Sequence, residues 1–130
     1  MVSFIQPLLR ERAGQQQIIN TRSGKVVAGR VLTAFDSESR RKGLLAHASL
    51  PPSTAMIIAP TNAIHTFFMK FPIDIAFVAK SGRILKIRSS VPAWRMTASF
   101  RAFAVLELAA GSLDSSDTKV GDQLIVSAAP

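Results

Sequence analysis

The chain of 130 residues contains no cysteine and no tyrosine, one tryptophan and two histidines. Without cysteine there is no disulfide, no thiolate nucleophile and no cysteine-ligated zinc or iron–sulfur site. The absence agrees with a reducing compartment, and a cytoplasmic location is the expectation, with export the alternative if a signal precedes this sequence. No apolar run approaches the roughly 18 residues that a helix needs to span a bilayer. Residues 1–9 carry Phe4, Ile5, Leu8 and Leu9 with no basic residue ahead of them and no small-residue cleavage site behind. A signal peptide is therefore not expected, and the chain reads as soluble and unprocessed. The seven glycines are scattered and form no phosphate-cradling loop. No Gly-x-Ser-x-Gly elbow is present either.

What is present suits one folded domain. Hydrophobic residues make up 48% of the chain, enough for a core of ordinary size. The formal net charge is +8, and it is unevenly spread. Between Ile75 and Leu106 stand Lys80, Arg83, Lys86, Arg88, Arg95 and Arg101, with no acidic residue among them. Such a surface attracts phosphates, nucleic acid or anionic lipid. The alternative is a merely solubilising surface, and it is the preferred one, since one Trp and no Tyr offer little to stack on bases.

Hydrophobic spacing predicts many short strands. β-Branched residues at 18–19 and 25–32 suggest early strands, with Ser23-Gly24 a turn and Gly29 a bend. Asp36-Ser37 can cap a helix over 36–46, with Leu44 and Leu45 toward the core. Pro51-Pro52 is a break. Strands are then expected over 56–59, 64–70, 73–80, 83–88, 105–109 and 123–126, with Ser81-Gly82 centring a hairpin. The pattern predicts a mainly β fold, a compact sandwich or barrel-like single domain with one short helix. Residues 1–24 would form an N-terminal extension and first strand, and 25–130 the domain proper.

The block from His65 to Val78 is the most informative stretch. It is densely apolar, and only Lys70 and Asp74 charge it. Charges in an apolar layer are costly unless paired or solvated. Alternation places Asp74 with Ala76 and Val78, and Ile73, Ile75 and Phe77 on the other face. If strands 64–70 and 73–80 pair around Phe71-Pro72, Lys70 meets Asp74. Glu107, inside Val-Leu-Glu-Leu, is a second acid in an apolar strand. Arg40 is a potential partner for either acid. The candidate site is therefore a polar cluster of Arg40, Lys70, Asp74 and Glu107, with His65, Phe68 and Trp94 at its rim. The structural alternative is that these charges are ion pairs and backbone-bonded groups that fix strand register. No metal site is expected, since His65, Asp74 and Glu107 have no close ligand spacing. No cofactor is expected.

Several segments, in order, resemble the domain-of-unknown-function 192 family. They are Arg40-Arg41-Lys42-Gly43-Leu44-Leu45, Ala55-Met56-Ile57-Ile58, the block 66–78, Ser81-Gly82, the strand Val105-Leu106-Glu107-Leu108 leading to Gly111, and Val120-Gly121-Asp122. The resemblance spans about 26–126. His47, Ala55 and Trp94 depart from the family pattern. The resemblance implies a mainly β sandwich-like domain with one short helix, and no established reaction. The preferred function is a non-catalytic binding or accessory role toward a small anionic ligand or an acidic protein surface. The alternatives are a hydrolase-like enzyme using Asp74, Glu107 and Lys70, and weak nucleic-acid binding through the basic surface.

Overall fold

The computed structural model describes residues 3–10, 16–44 and 47–130. Its centre is a five-stranded sheet ordered β3-β4-β9-β6-β7. The strands are β3 (Arg30–Ala34), β4 (Thr54–Ile58), β6 (Ile73–Val78), β7 (Ile84–Val91) and β9 (Ala104–Ala109). All neighbours are antiparallel except β3 and β4, which run parallel. A three-stranded sheet, β10-β1-β2, is built from β1 (Gln16–Asn20), β2 (Val26–Ala28) and β10 (Leu124–Ala128). A two-stranded ribbon pairs β5 (Ala63–His65) with β8 (Met96–Ala98).

The three middle strands explain the dense apolar runs. Every residue of β4 and β6, and all but the last of β9, is buried. A sheet buried on one face alternates apolar and polar residues; one buried on both does not. On one face Ile57, Ala76, Val78, Leu106 and Leu108 pack against Ile18, Val27 and Leu124 of the three-stranded sheet and against Phe4, Ile5 and Leu8. On the other, Met56, Ile58, Ile73, Ile75, Phe77 and Val105 pack with Leu44, Leu50 and Met69. Gly29, between β2 and β3, carries the chain from the outer sheet to the central one. The expected boundary after residue 24 falls in the turn of the paired strands β1 and β2.

The mainly β architecture agrees with the sequence pattern, and four details differ from it. The described residues hold three short helices, not one: α1 (Gln6–Arg10), α2 (Ser37–Lys42) and α3 (Ser112–Ser115). α2 starts as expected, with the Asp36 carboxylate accepting the Ser39 N–H at 2.8 Å. It stops early because Gly43 turns to φ 47°; positions 45–46 lie outside the described residues. The strand expected over 64–70 ends at His65, because Phe68 adopts φ 65° and the Met69 N–H closes a turn onto the Thr66 carbonyl at 3.2 Å. Consequently β5 pairs with β8, and β6 pairs with β7 and β9; the expected pairing around Phe71-Pro72 does not occur.

Two polar devices fasten the layers. The Ser81-Gly82 turn joins β6 to β7 as predicted, with Gly82 at φ 97° and its carbonyl accepting the Leu124 N–H at 2.9 Å. The Asp122 carboxylate accepts from Arg22 Nε at 2.6 Å, Asn20 Nδ2 at 2.8 Å and the Lys119 N–H at 2.8 Å. The Arg22 guanidinium holds the Asp122 carboxyl well below the usual carboxylate range.

Candidate functional site

The register of β6 on β9 decides how the two candidate acids relate. Asp74 lies opposite Leu108, and Glu107 opposite Ile75. Directly opposed residues share a face, and successive residues alternate. Asp74 and Glu107 therefore point to opposite faces of the central sheet.

Asp74 is 1% exposed and fully engaged with backbone. One oxygen accepts the Ser90 N–H at 2.8 Å; the other accepts the Gly111 and Leu113 N–H groups at 3.1 and 3.0 Å. It thus satisfies the orphan N–H groups where α3 begins and ties β7 to the β9–α3 turn. Lys70 is exposed and forms no ion pair among the described residues. The expected Lys70–Asp74 pair is absent, because the strand that would have aligned them ends at His65.

Glu107 has a different environment. It is 4% exposed and flanked in register by Met56 and Ile75. It makes no hydrogen bond or ion pair among the described residues. Burial pushes its carboxyl up to about 7, since desolvation disfavours the charged form. The carboxyl forms part of the wall of a cavity of about 410 Å³ between α2 and β5. Gly43 lets the end of α2 approach it: a Cβ there would sit 3.3 Å from Glu107 Oε1. Leu44, Ile58, Ile64 and Met69 supply apolar wall, and Arg40, Arg41, Lys42 and His65 supply the polar remainder. Among the described residues, Glu107 is the only acid in this lining.

Two of the four predicted cluster residues therefore meet at one cavity, Arg40 and Glu107. Arg40 Nη1 donates to the Phe35 carbonyl at 2.7 Å, which anchors its side chain at the cavity edge rather than on the acid. Lys42 is paired with Glu38 at 3.0 Å. Of the predicted rim residues, His65 lines the cavity; Phe68 and Trp94 do not. His65, Asp74 and Glu107 do not converge, and no group of three metal-ligating side chains occurs among the described residues.

Sequence reading missed Thr66, which is 1% exposed. Its N–H donates to the Arg95 carbonyl at 2.8 Å, and its carbonyl accepts from Trp94 and Met69 at 3.1 and 3.2 Å. Its hydroxyl donates to the Pro92 carbonyl at 2.6 Å and accepts the Arg95 N–H at 3.0 Å. This knot holds two exposed aromatics in the left-handed region, Phe68 at φ 65° and Trp94 at φ 67°. Each such bulky residue costs on the order of 1–3 kcal/mol. Nothing in the local sequence signals the knot beyond a threonine inside an apolar run.

The chain is similar to known proteins in sequence and in fold. A curated UPF0127 protein of Thermococcus sibiricus is 28% identical over 112 residues, covering 82% of this chain and 72% of the relative. A crystal structure of a protein of unknown function from Novosphingobium aromaticivorans superimposes with a TM-score of 0.71 at 26% identity, covering 84% of this chain and 81% of that one. A second, from Sinorhizobium meliloti and titled a "putative transcription regulator", gives a TM-score of 0.74 at 24% identity, covering 84% and 89%; that likeness bears on the fold alone. The DUF192 model, described as an uncharacterized ACR, matches residues 18–126. The chain belongs to the DUF192 family.

Proposed function

We propose that this domain is a non-catalytic binding module for a small anionic molecule that also carries a hydroxyl or amino group. The observation that carries the reading is the Glu107 carboxyl, nearly buried and unpartnered among the described residues, in the wall of a cavity of about 410 Å³. Cavities of roughly 300–1,000 Å³ are the usual size for small-molecule sites, with an apolar lining and few placed polar groups. A buried carboxyl without a partner is destabilising, and a ligand donor would relieve that cost. Arg40, Arg41 and His65 in the same lining favour a negative charge at the ligand's other end. A hydrolase centred on Asp74, Glu107 and Lys70 gains no support from this arrangement, because the three side chains do not share a site.

The test is a thermal-shift and calorimetric screen with hydroxycarboxylates, amino acids and sugar phosphates. One class should raise the melting temperature of the wild type and of Asp74→Asn, but not of Glu107→Leu. A ligand occupying the site at a hundred times its Kd would add about 2.7 kcal/mol. The proposal fails if every compound leaves the wild type unchanged, or if Glu107→Leu responds as the wild type does.

A further inference from the structure

Four large apolar side chains stand in solvent. Phe68 is 69% exposed, Trp94 57%, Met96 75% and Phe100 93%. They border the β5–β8 ribbon, in which His65 pairs with Met96 and Ala63 with Ala98. All four of those ribbon residues are exposed. A shallow, mostly apolar depression of about 380 Å³ runs over the ribbon. Apolar patches of this kind, rimmed by polar residues, mark interaction surfaces. The Thr66 knot shows that two of the side chains are held outward against the backbone's own preference.

Charge selects the occupant. Met96 also lines a second depression with Arg88 and Arg95, and Lys86 Nζ donates to the Ala98 carbonyl at 2.8 Å. Arg101 follows Phe100 directly, and Lys70 lies two residues past Phe68. No acidic side chain occurs between Ile75 and Leu106. Among the described residues none of these cations forms an ion pair. The surface therefore combines apolar wedges with unneutralised positive charge. Aromatic rings prefer the headgroup level of a bilayer, and clustered Lys and Arg are drawn to anionic headgroups. Single-stranded nucleic acid fits less well, because it needs open aromatic faces. Trp94 is already stacked on Phe67 at 5.6 Å between ring centroids and meets Phe68 edge-on at 4.6 Å.

We propose that the outer face of the β5–β8 ribbon, with Phe68, Trp94, Met96 and Phe100 as wedges and Arg88, Arg95 and Arg101 as headgroup contacts, docks this protein peripherally on an anionic lipid surface. This reading is independent of the Glu107 cavity.

Trp94 is the only tryptophan, so its emission reports the docking directly. The protein would be mixed with phosphatidylcholine vesicles, with and without phosphatidylglycerol, and with a single-stranded oligonucleotide. The expected result is a blue shift of Trp94 emission and co-sedimentation with the phosphatidylglycerol vesicles only. Both should weaken with salt. Arg88→Glu with Arg95→Glu should weaken partition about tenfold or more. Met96→Asp with Phe100→Asp should remove the blue shift at an unchanged melting temperature; both side chains lie outside the core, so folding is preserved. Absence of a shift with anionic vesicles overturns the proposal. So does oligonucleotide binding without vesicle binding, or vesicle binding that survives both double variants.

Discussion

Asp74 and Glu107 sit on neighbouring strands, one residue apart in register, and point to opposite sides of the same sheet. The two acids look alike in sequence, each a single carboxylate in an apolar strand. Their surroundings give them different roles. Asp74 is saturated by three backbone N–H groups. Glu107 has no partner among the described residues and a cavity beside it.

Asp74→Ala should destabilise the fold by about 3–5 kcal/mol, because three backbone N–H groups lose their shared, buried carboxylate acceptor together. Urea unfolding followed by far-UV circular dichroism measures the change. A loss under about 1 kcal/mol would show that water replaces the carboxylate and that Asp74 is no structural staple.

Glu107 makes stability depend on pH in a defined window. Its carboxyl rises from 4.5 to about 7 on folding. Below 4.5 both folded and unfolded states are protonated, and ionisation adds nothing to the balance. As pH rises toward 7 the unfolded chain ionises while the folded one keeps its proton, so stability falls. Above 7 the penalty is constant. At about 1.4 kcal/mol per unit the full loss is about 3 kcal/mol. Glu107→Gln should be as stable as the wild type near pH 4 and more stable at pH 8. Parallel denaturant midpoints at the two pH values decide; equal differences at both would refute the assignment.

Gly82→Ala should cost on the order of 3–5 kcal/mol. Two effects add: the residue holds φ 97°, and a Cβ would collide with the Leu124 carbonyl oxygen. Differential scanning calorimetry would show a lower melting temperature. An unchanged melting temperature would mean that the β6–β7 turn and β10 separate readily.

Much of the architecture was legible in the chain. The strands β4, β6, β7, β9 and β10 appear within a few residues of where apolar spacing puts them, and the Ser81-Gly82 turn sits between β6 and β7. Asp36 caps α2, as a short acidic side chain before a helical segment should. α1 and α3 were not legible. They are five and four residues long, too short to show a helical period, and α3 begins where Asp74, far away in sequence, accepts its first N–H groups.

The sequence by itself determined the alternation within each strand: Asp74 with Ala76 and Val78, Glu107 apart from Leu106 and Leu108. It did not determine the register between strands. A shift of one residue turns every side chain of a strand to the other face, and only the packing of both faces of the central sheet fixes that shift. The tertiary structure alone therefore separated Asp74 from Glu107. It likewise ended the strand at His65 through the Thr66 knot, whose partners lie about thirty residues away at Pro92, Trp94 and Arg95. Hydrogen bonds over such a distance leave no periodic trace in the chain that makes them.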